Sequence, residues 1–332
     1  MTTPGSGVPP ANSDVVKTWM TVVKPCSPFD KAGEVILRSS DHQNFHIHRI
    51  ILSLASPVFG AMFSLPQPEE LADGDQTASQ KSPPVIDVME NSFTLDVLLR
   101  QCYPVAKPFL EDLECVEHVL AAALKYEMSV AIQAMSELLV SKTIITENPL
   151  RVFFTACKYG LKREALTAAK ASLRYDIDDV YLPDMEQVPT GYYFRLLKFR
   201  KGIASQVCQR LECLHQDCAN PVPDRGCGNP ALWSDAFIAN AKSFVQAVPH
   251  SQEIYSPTFL SQIMKINTKP QEWGSISECA SCTANGGLAD RRLRLKLALD
   301  EIYEESINNV RSIYLFSSAV FDSFRPFMVF FR

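Results

Sequence analysis

Apolar and polar residues alternate and then regroup at helical spacing over GEVILRSSDHQNFHIHRIILSLASPVFGAMF, residues 33–63. Glu34 to Arg38 is rich in Val, Ile and Leu and predicts a short strand. Ser40 to Asn44 supplies turn residues, and Phe45 to His48 alternates as a second strand. From His48 the apolar positions fall at Ile51, Leu52, Ala55, Phe59 and Met62, the spacing of one helix face. Ser56-Pro57 interrupts that face in a defined way. Serine is a preferred N-cap, and proline fits the first helical position, where its missing N–H would have no intrahelical partner. The pattern predicts a hairpin, a helix, a stop and a second helix.

Leu65 to Pro84 is proline-rich, acidic and polar, with little to bury, and reads as a flexible insertion loop. Val85 to Met89 returns as a third strand. Ser92 is placed to cap a helix carrying Phe93, Val97 and Leu98, ending near Tyr103-Pro104. Leu113 to Met128 is amphipathic through Leu113, Val116, Leu120, Ala123 and Leu124, and another helix follows through Ile132, Met135 and Leu139. Asn148-Pro149 opens a helix striped by Leu150, Phe153, Phe154 and Cys157, with Gly160 as its stop. Leu161 to Tyr175 is its antiparallel partner through Leu166, Ala169 and Leu173. Further helices are expected at Gly191 to Leu211 (Tyr193, Leu196, Leu197, Ala204, Val207), from Trp233 through Phe237, Ala241, Phe244 and Val248 to Pro249, from Ser256-Pro257, and at Leu288 to Ile313, the longest. No repeat of fixed period is evident.

Composition sharpens this. With 332 residues, 46% of them hydrophobic, the chain can bury a sizeable core and is expected to hold two domains. The organisation read from the pattern is a disordered tail over 1–30, a first domain over 31–142 with its loop at 65–84, a helical extension over 143–180 and a helical domain over 181–332. The net charge of −5 gives no general attraction to nucleic acid. The basic run at 290–296 reads as a solvated helix face. The first residues lack the cationic start and apolar core of a signal peptide. No uncharged stretch approaches the ~20 apolar residues of a membrane-spanning helix. The nearest, Phe316 to Phe331, is interrupted by Asp322, Arg325 and Pro326. The expected compartment is reducing, cytoplasm or nucleus, so the ten cysteines read as thiols or metal ligands.

The segment from 33 to 63 resembles the start of a BTB (POZ) domain. The family's helix pattern H-[KR]-x-x-L-x-x-x-S-x-x-F-x-x-M-F is matched by His48-Arg49, Leu52, Ser56, Phe59 and Met62-Phe63. VLAAALKYEM at 119–128 is similar to the family's LLxAAxxYxM helix, which extends the resemblance over about 31–142. It implies an α+β fold: an N-terminal three-stranded sheet flanked by helices, then a mainly α-helical C-terminal domain. A helical pair after the domain is common in the family. The layout beyond Pro183, with a few Cys and Trp positions, resembles BTB proteins abundant in mushroom-forming (basidiomycete) fungi.

In dimeric BTB proteins an acidic residue at the first strand and a basic residue after the helix histidine lie in a charged pocket near the dimer seam. The resemblance carries these onto Glu34 and Arg49. The plain reading of the two is a partly exposed ion pair contributing ~0–1 kcal/mol. Ile50, Ile51, Leu54 and Phe59 are the candidates for first-helix packing and the dimer seam, and each also passes as core; Leu52 and Met62 are expected in the core. His48 reads as a structural histidine. His46 and His48 share a strand face but have no carboxylate or cysteine companion for metal.

Cys102, Cys115 and Cys157 sit in helical patterns as small apolar residues. Cys279 and Cys282 form a C-x2-C knuckle, and Cys213 and Cys218 a looser C-x4-C. Together the four have the chemistry of a closed structural zinc site that would clip two distant loops. The halves lie about sixty residues apart, outside compact finger spacing, and unligated thiols are the alternative. No other cofactor is expected.

Nucleotide-binding and hydrolase motifs are absent, and the chain is expected not to be an enzyme. The function implied is protein–protein interaction, by BTB self-association or partner binding. Two sharper roles occur in the family. One is substrate adaptor for a cullin-type ubiquitin ligase, marked by an apolar-x-Glu before the fourth helix. Phe109-Leu110-Glu111 has those residue types, whereas aligning on Val116 to Met128 sets Asp112 and Glu114 in the slots. The other is transcriptional regulation, for which the DNA-binding half is missing. Neither nucleic acid nor membrane is expected as a partner.

Overall fold

A computed structural model describes residues 18–31, 33–65, 83–218 and 230–250, together with 254, 259, 297 and 300–305. The chain divides into two compact units, 1–144 and 145–332. Unit 1 holds a three-stranded sheet of β1 (Val35–Arg38), β2 (Asn44–Ile47) and β3 (Val85–Asp87), in the order β2-β1-β3. β1 pairs antiparallel with β2 and parallel with β3. Val35 and Leu37 of β1 and Phe45 and Ile47 of β2 are all buried, as alternation requires of a sheet with one covered face. Gly33 enters the sheet with no room for a side chain, since a Cβ there would sit 2.5 Å from the Ile47 backbone nitrogen. The insertion expected at 65–84 falls almost wholly outside the described residues.

Between β2 and β3 lie α1 (Arg49–Ala55) and α2 (Pro57–Ser64). Ser56 turns the corner between them. Its Oγ accepts the Phe59 N–H at 3.2 Å and donates to the Tyr126 carbonyl at 2.6 Å, so the cap also fastens the corner to the rest of the unit. After β3 come α3 (Ser92–Arg100), α4 (Leu113–Lys125) and α5 (Ser129–Leu139). The cap of α3 is Asn91, one residue earlier than expected, its side chain accepting from Thr94 N–H at 2.9 Å. The Ser92 hydroxyl is taken by Asp41, to which it donates at 2.6 Å.

The tail expected over 1–30 extends too far. Residues 18–31 are part of unit 1, although their sequence shows no periodicity. Phe29 is fully buried against Phe45 and Tyr103. Trp19 stacks on His118 with ring centres 4.1 Å apart, and its indole N–H donates to Glu114 at 3.0 Å. The Trp19 carbonyl accepts from the Asn91 side chain at 2.7 Å. Residues 1–17 lie outside the described set.

The division between the units falls within the short helix α6 (Lys142–Glu147), which the pattern did not predict. Unit 2 continues with α7 (Pro149–Lys158), α8 (Lys162–Ser172), α9 (Thr190–Cys218) and α10 (Pro230–Ala247). Gly160 takes φ +72° just past α7, where Gly160 N–H reaches the Cys157 carbonyl and Leu161 N–H the Ala156 carbonyl. That paired bonding is a glycine-closed helix end. The buried face of α9 runs through Tyr192, Leu196, Phe199, Ile203, Val207 and Leu211; Tyr192, not Tyr193, begins it. Arg200 is buried and donates to the carbonyls of Ser172, Tyr175 (2.7 Å) and Ala247 (3.0 Å), gathering the C-terminal ends of α8 and α10. Burial pushes its guanidinium down to about 10. Most of the helices expected from Ser256 and from Leu288 fall outside the described residues; 300–305 is helical, with Ile302 and Tyr303 buried.

Candidate interaction face

α1 has only seven residues, and four of them are Ile or Leu. Leu52 alone among them is fully buried. Ile51 is half-buried, while Ile50 and Leu54 expose 65% and 80% of their surface. Positions i and i+4 are neighbours on a helix, so Ile50 and Leu54 form one continuous apolar strip facing solvent. Of the residues predicted for a seam, Phe59 is the correction: it is 1% exposed and stacks on Tyr126 at 4.6 Å, which makes it core of its own protomer. Helical spacing placed it on the face of Leu52, and that face turns inward. Met62, expected in the core, is only half-buried.

Glu34 and Arg49 are brought together, but not as an ion pair. The Glu34 carboxylate accepts the backbone N–H of Arg49 at 2.7 Å, satisfying one of the free amides at the start of α1. The Arg49 guanidinium turns the other way. It donates to the Phe63 carbonyl at 2.6 Å and lies 5.2 Å from the Phe63 ring centre. Ile50, Ser53, Gly60 and Phe63 join Glu34 and Arg49 around a shallow, open depression of about 460 Å³ beside the apolar strip. Gly60 permits the close approach of α2 to α1, since a Cβ there would meet the Ser53 carbonyl at 3.3 Å.

The other predicted residues lie elsewhere. His48 precedes α1 and is held by Tyr103, whose hydroxyl accepts the His48 backbone N–H at 2.8 Å. Cys115 and Cys157 are buried thiols; burial pushes Cys115 up to about 12, and Cys157 upwards likewise. Cys213 and Cys218 fall on the last turns of α9, so the first half of the proposed zinc clip has a helical backbone where a loop was expected. Cys279 and Cys282 lie outside the described residues. Among the described residues, no three His, Cys, Asp or Glu side chains gather so as to hold a metal ion. Nor, among them, is any helix long and apolar enough to cross a membrane. Just ahead of α4, Phe109 is 82% exposed and Glu111 is exposed. Asp112 caps α4 by accepting Glu114 N–H, and Glu114 holds Trp19.

Residues 29–143 match the family model of the BTB/POZ domain. This segment is a BTB/POZ domain. The match begins at the buried Phe29 and ends within α6, so it takes in the whole sheet and the exposed strip of α1. BTB/POZ domains mediate protein–protein interaction and dimerisation and are generally non-catalytic. No curated protein matches the chain. The helices of unit 2 beyond α6 stand outside the BTB/POZ match.

Proposed function

We propose that this chain is a non-catalytic interaction protein whose BTB/POZ domain pairs with a second copy through the α1 face. The observation that carries the reading is the strip of Ile50 and Leu54, apolar and exposed on a helix whose third large residue, Leu52, is fully buried. Removing two side chains of this size from water would contribute about 3 kcal/mol or more. A twofold pairing sets the same patch against itself, which suits a short apolar strip that each copy offers alike. The free thiols at Cys26, Cys102, Cys115, Cys157 and Cys208 suit a reducing compartment, cytoplasm or nucleus.

Sedimentation equilibrium of the full chain tests this. The wild type should show a concentration-dependent dimer, and Leu54→Asp should remain monomeric at the same concentrations. A Leu54→Asp chain that still dimerises would reject the α1 face as the seam.

A second reading, an adaptor for a cullin-type scaffold, draws support from Phe109. Exposed Phe109 and Glu111 keep the apolar-x-Glu residue types free ahead of α4, while Asp112 and Glu114 are occupied within the domain. On that reading Phe109→Ala abolishes capture of the scaffold and leaves the dimer intact.

A further inference from the structure

We infer that Arg49 is a positioning residue for the α1 face: it sets how Ile50 and Leu54 are presented and does not itself contact the partner. This rests on the reading of that face as the docking surface. The argument begins with the shape of the α1–α2 pair, two short helices meeting at a corner. Ser56 pins the corner through the Tyr126 carbonyl. Among the described residues, no strand pairing or disulfide spans the open end, where α1 begins and α2 finishes. Arg49 closes it. Its backbone N–H is bound by Glu34, and its guanidinium spans to the Phe63 carbonyl, one of the last carbonyls of α2. Such carbonyls lack intrahelical partners and sit at the negative end of the helix dipole, so a guanidinium is the favoured group there. The same guanidinium lies 5.2 Å from the Phe63 ring centre, which fixes a planar group in a way that a lysine ammonium cannot reproduce.

The consequence is that the cation beside the depression is already engaged within its own protomer. Its donors point to α2 and its charge offsets carbonyl dipoles. Ile50 is the next residue along α1 and Leu54 lies one turn further, so the orientation of the strip follows the tie between Arg49 and Phe63. Glu34 works in the same direction from the other side, holding the first turn of α1 to the start of β1. A residue that met the partner through its charge would instead be reproduced by lysine and would make association sensitive to salt.

The test uses Arg49→Lys and Arg49→Gln in the full chain, read in two ways. In the first, methyl NMR follows Leu54, five residues from the substitution, in chains kept monomeric by dilution. Both variants should shift the Leu54 methyl resonances and speed amide exchange in α1, while methyls of unit 2 stay in place. In the second, sedimentation should show both variants weakening self-association at least about tenfold, the scale of one lost charge-assisted hydrogen bond, with an unchanged salt dependence. The inference is overturned if Leu54 is unmoved in both variants. It is also overturned if Arg49→Lys associates like wild type while Arg49→Gln does not. A wild-type chain that never self-associates would defeat the docking reading alone, because the Leu54 methyls still report the tie.

Discussion

α1 and α7 are both short and apolar, yet their side chains end in opposite places. In α7, the six residues in an unbroken row from Val152 to Cys157, and Leu150 before them, are all buried. In α1, Leu52 is the one buried residue, and Ile50 and Leu54 stand in solvent. α7 packs against α8 and the short 3-10 turn Pro183–Gln187, and its Phe154 meets Tyr193 of α9, whereas among the described residues α1 packs chiefly on α2. Apolar content is thus alike in the two helices, and what differs is the surface each is offered. The difference teaches that an apolar helix becomes an interface when the fold leaves part of it uncovered.

The largest effect should come from the buried helix. Phe153→Ala removes a fully packed ring from α7 and should cost unit 2 about 3–5 kcal/mol in urea unfolding, with self-association unchanged while the chain is folded. Leu54→Ala, at the matching test position of α1, should change stability by less than about 0.5 kcal/mol and weaken association instead. Equal stability losses at the two sites would erase the distinction. Next in size is the corner of α1 and α2. Ser56→Ala removes a helix cap and leaves the buried Tyr126 carbonyl without its donor, and should cost unit 1 ~1–3 kcal/mol, read as a lowered urea midpoint.

A smaller effect separates the units by pH. Burial and the neighbouring Arg174 guanidinium lower the pKa of His250, which lies against Tyr303 and accompanies Asp300 and Glu304. The folded state therefore favours the neutral ring. Its contribution should be complete above the ordinary histidine value near 6.5 and should fade as pH falls below it. Thermal melts from pH 7.5 to 5.5 should show this loss in the wild type and a flatter profile in His250→Asn.

Much of unit 1, and the end of α7 in unit 2, was legible in the sequence because period-2 and period-3.6 patterns, Ser56-Pro57 and Gly160 each act over a few residues. What escaped was set by distant partners. Trp19 and Phe29 are single anchors without periodicity, and their seats on His118, Glu114 and Tyr103 are formed from residues far along the chain. Ser92 looked like a cap, but Asp41 claims its hydroxyl and Asn91 takes the role. Ile50, Leu54 and Phe59 shared one prediction because helical spacing alone does not separate core from seam. The fold divides them, leaving two outside and one within. The sequence pattern leads to an ion pair between Glu34 and Arg49, while the form they take, an amide cap and a guanidinium tied to Phe63, depends on where α2 ends.

The most direct test of the α1 face is photo-cross-linking in the full chain, with benzoylphenylalanine replacing Ser64, an exposed residue at the rim of the depression. The account predicts a cross-linked dimer whose joined peptide maps to α1 of the second copy, lost when Leu54→Asp is added. A dimer whose cross-links map elsewhere, or one that survives Leu54→Asp, would contradict it.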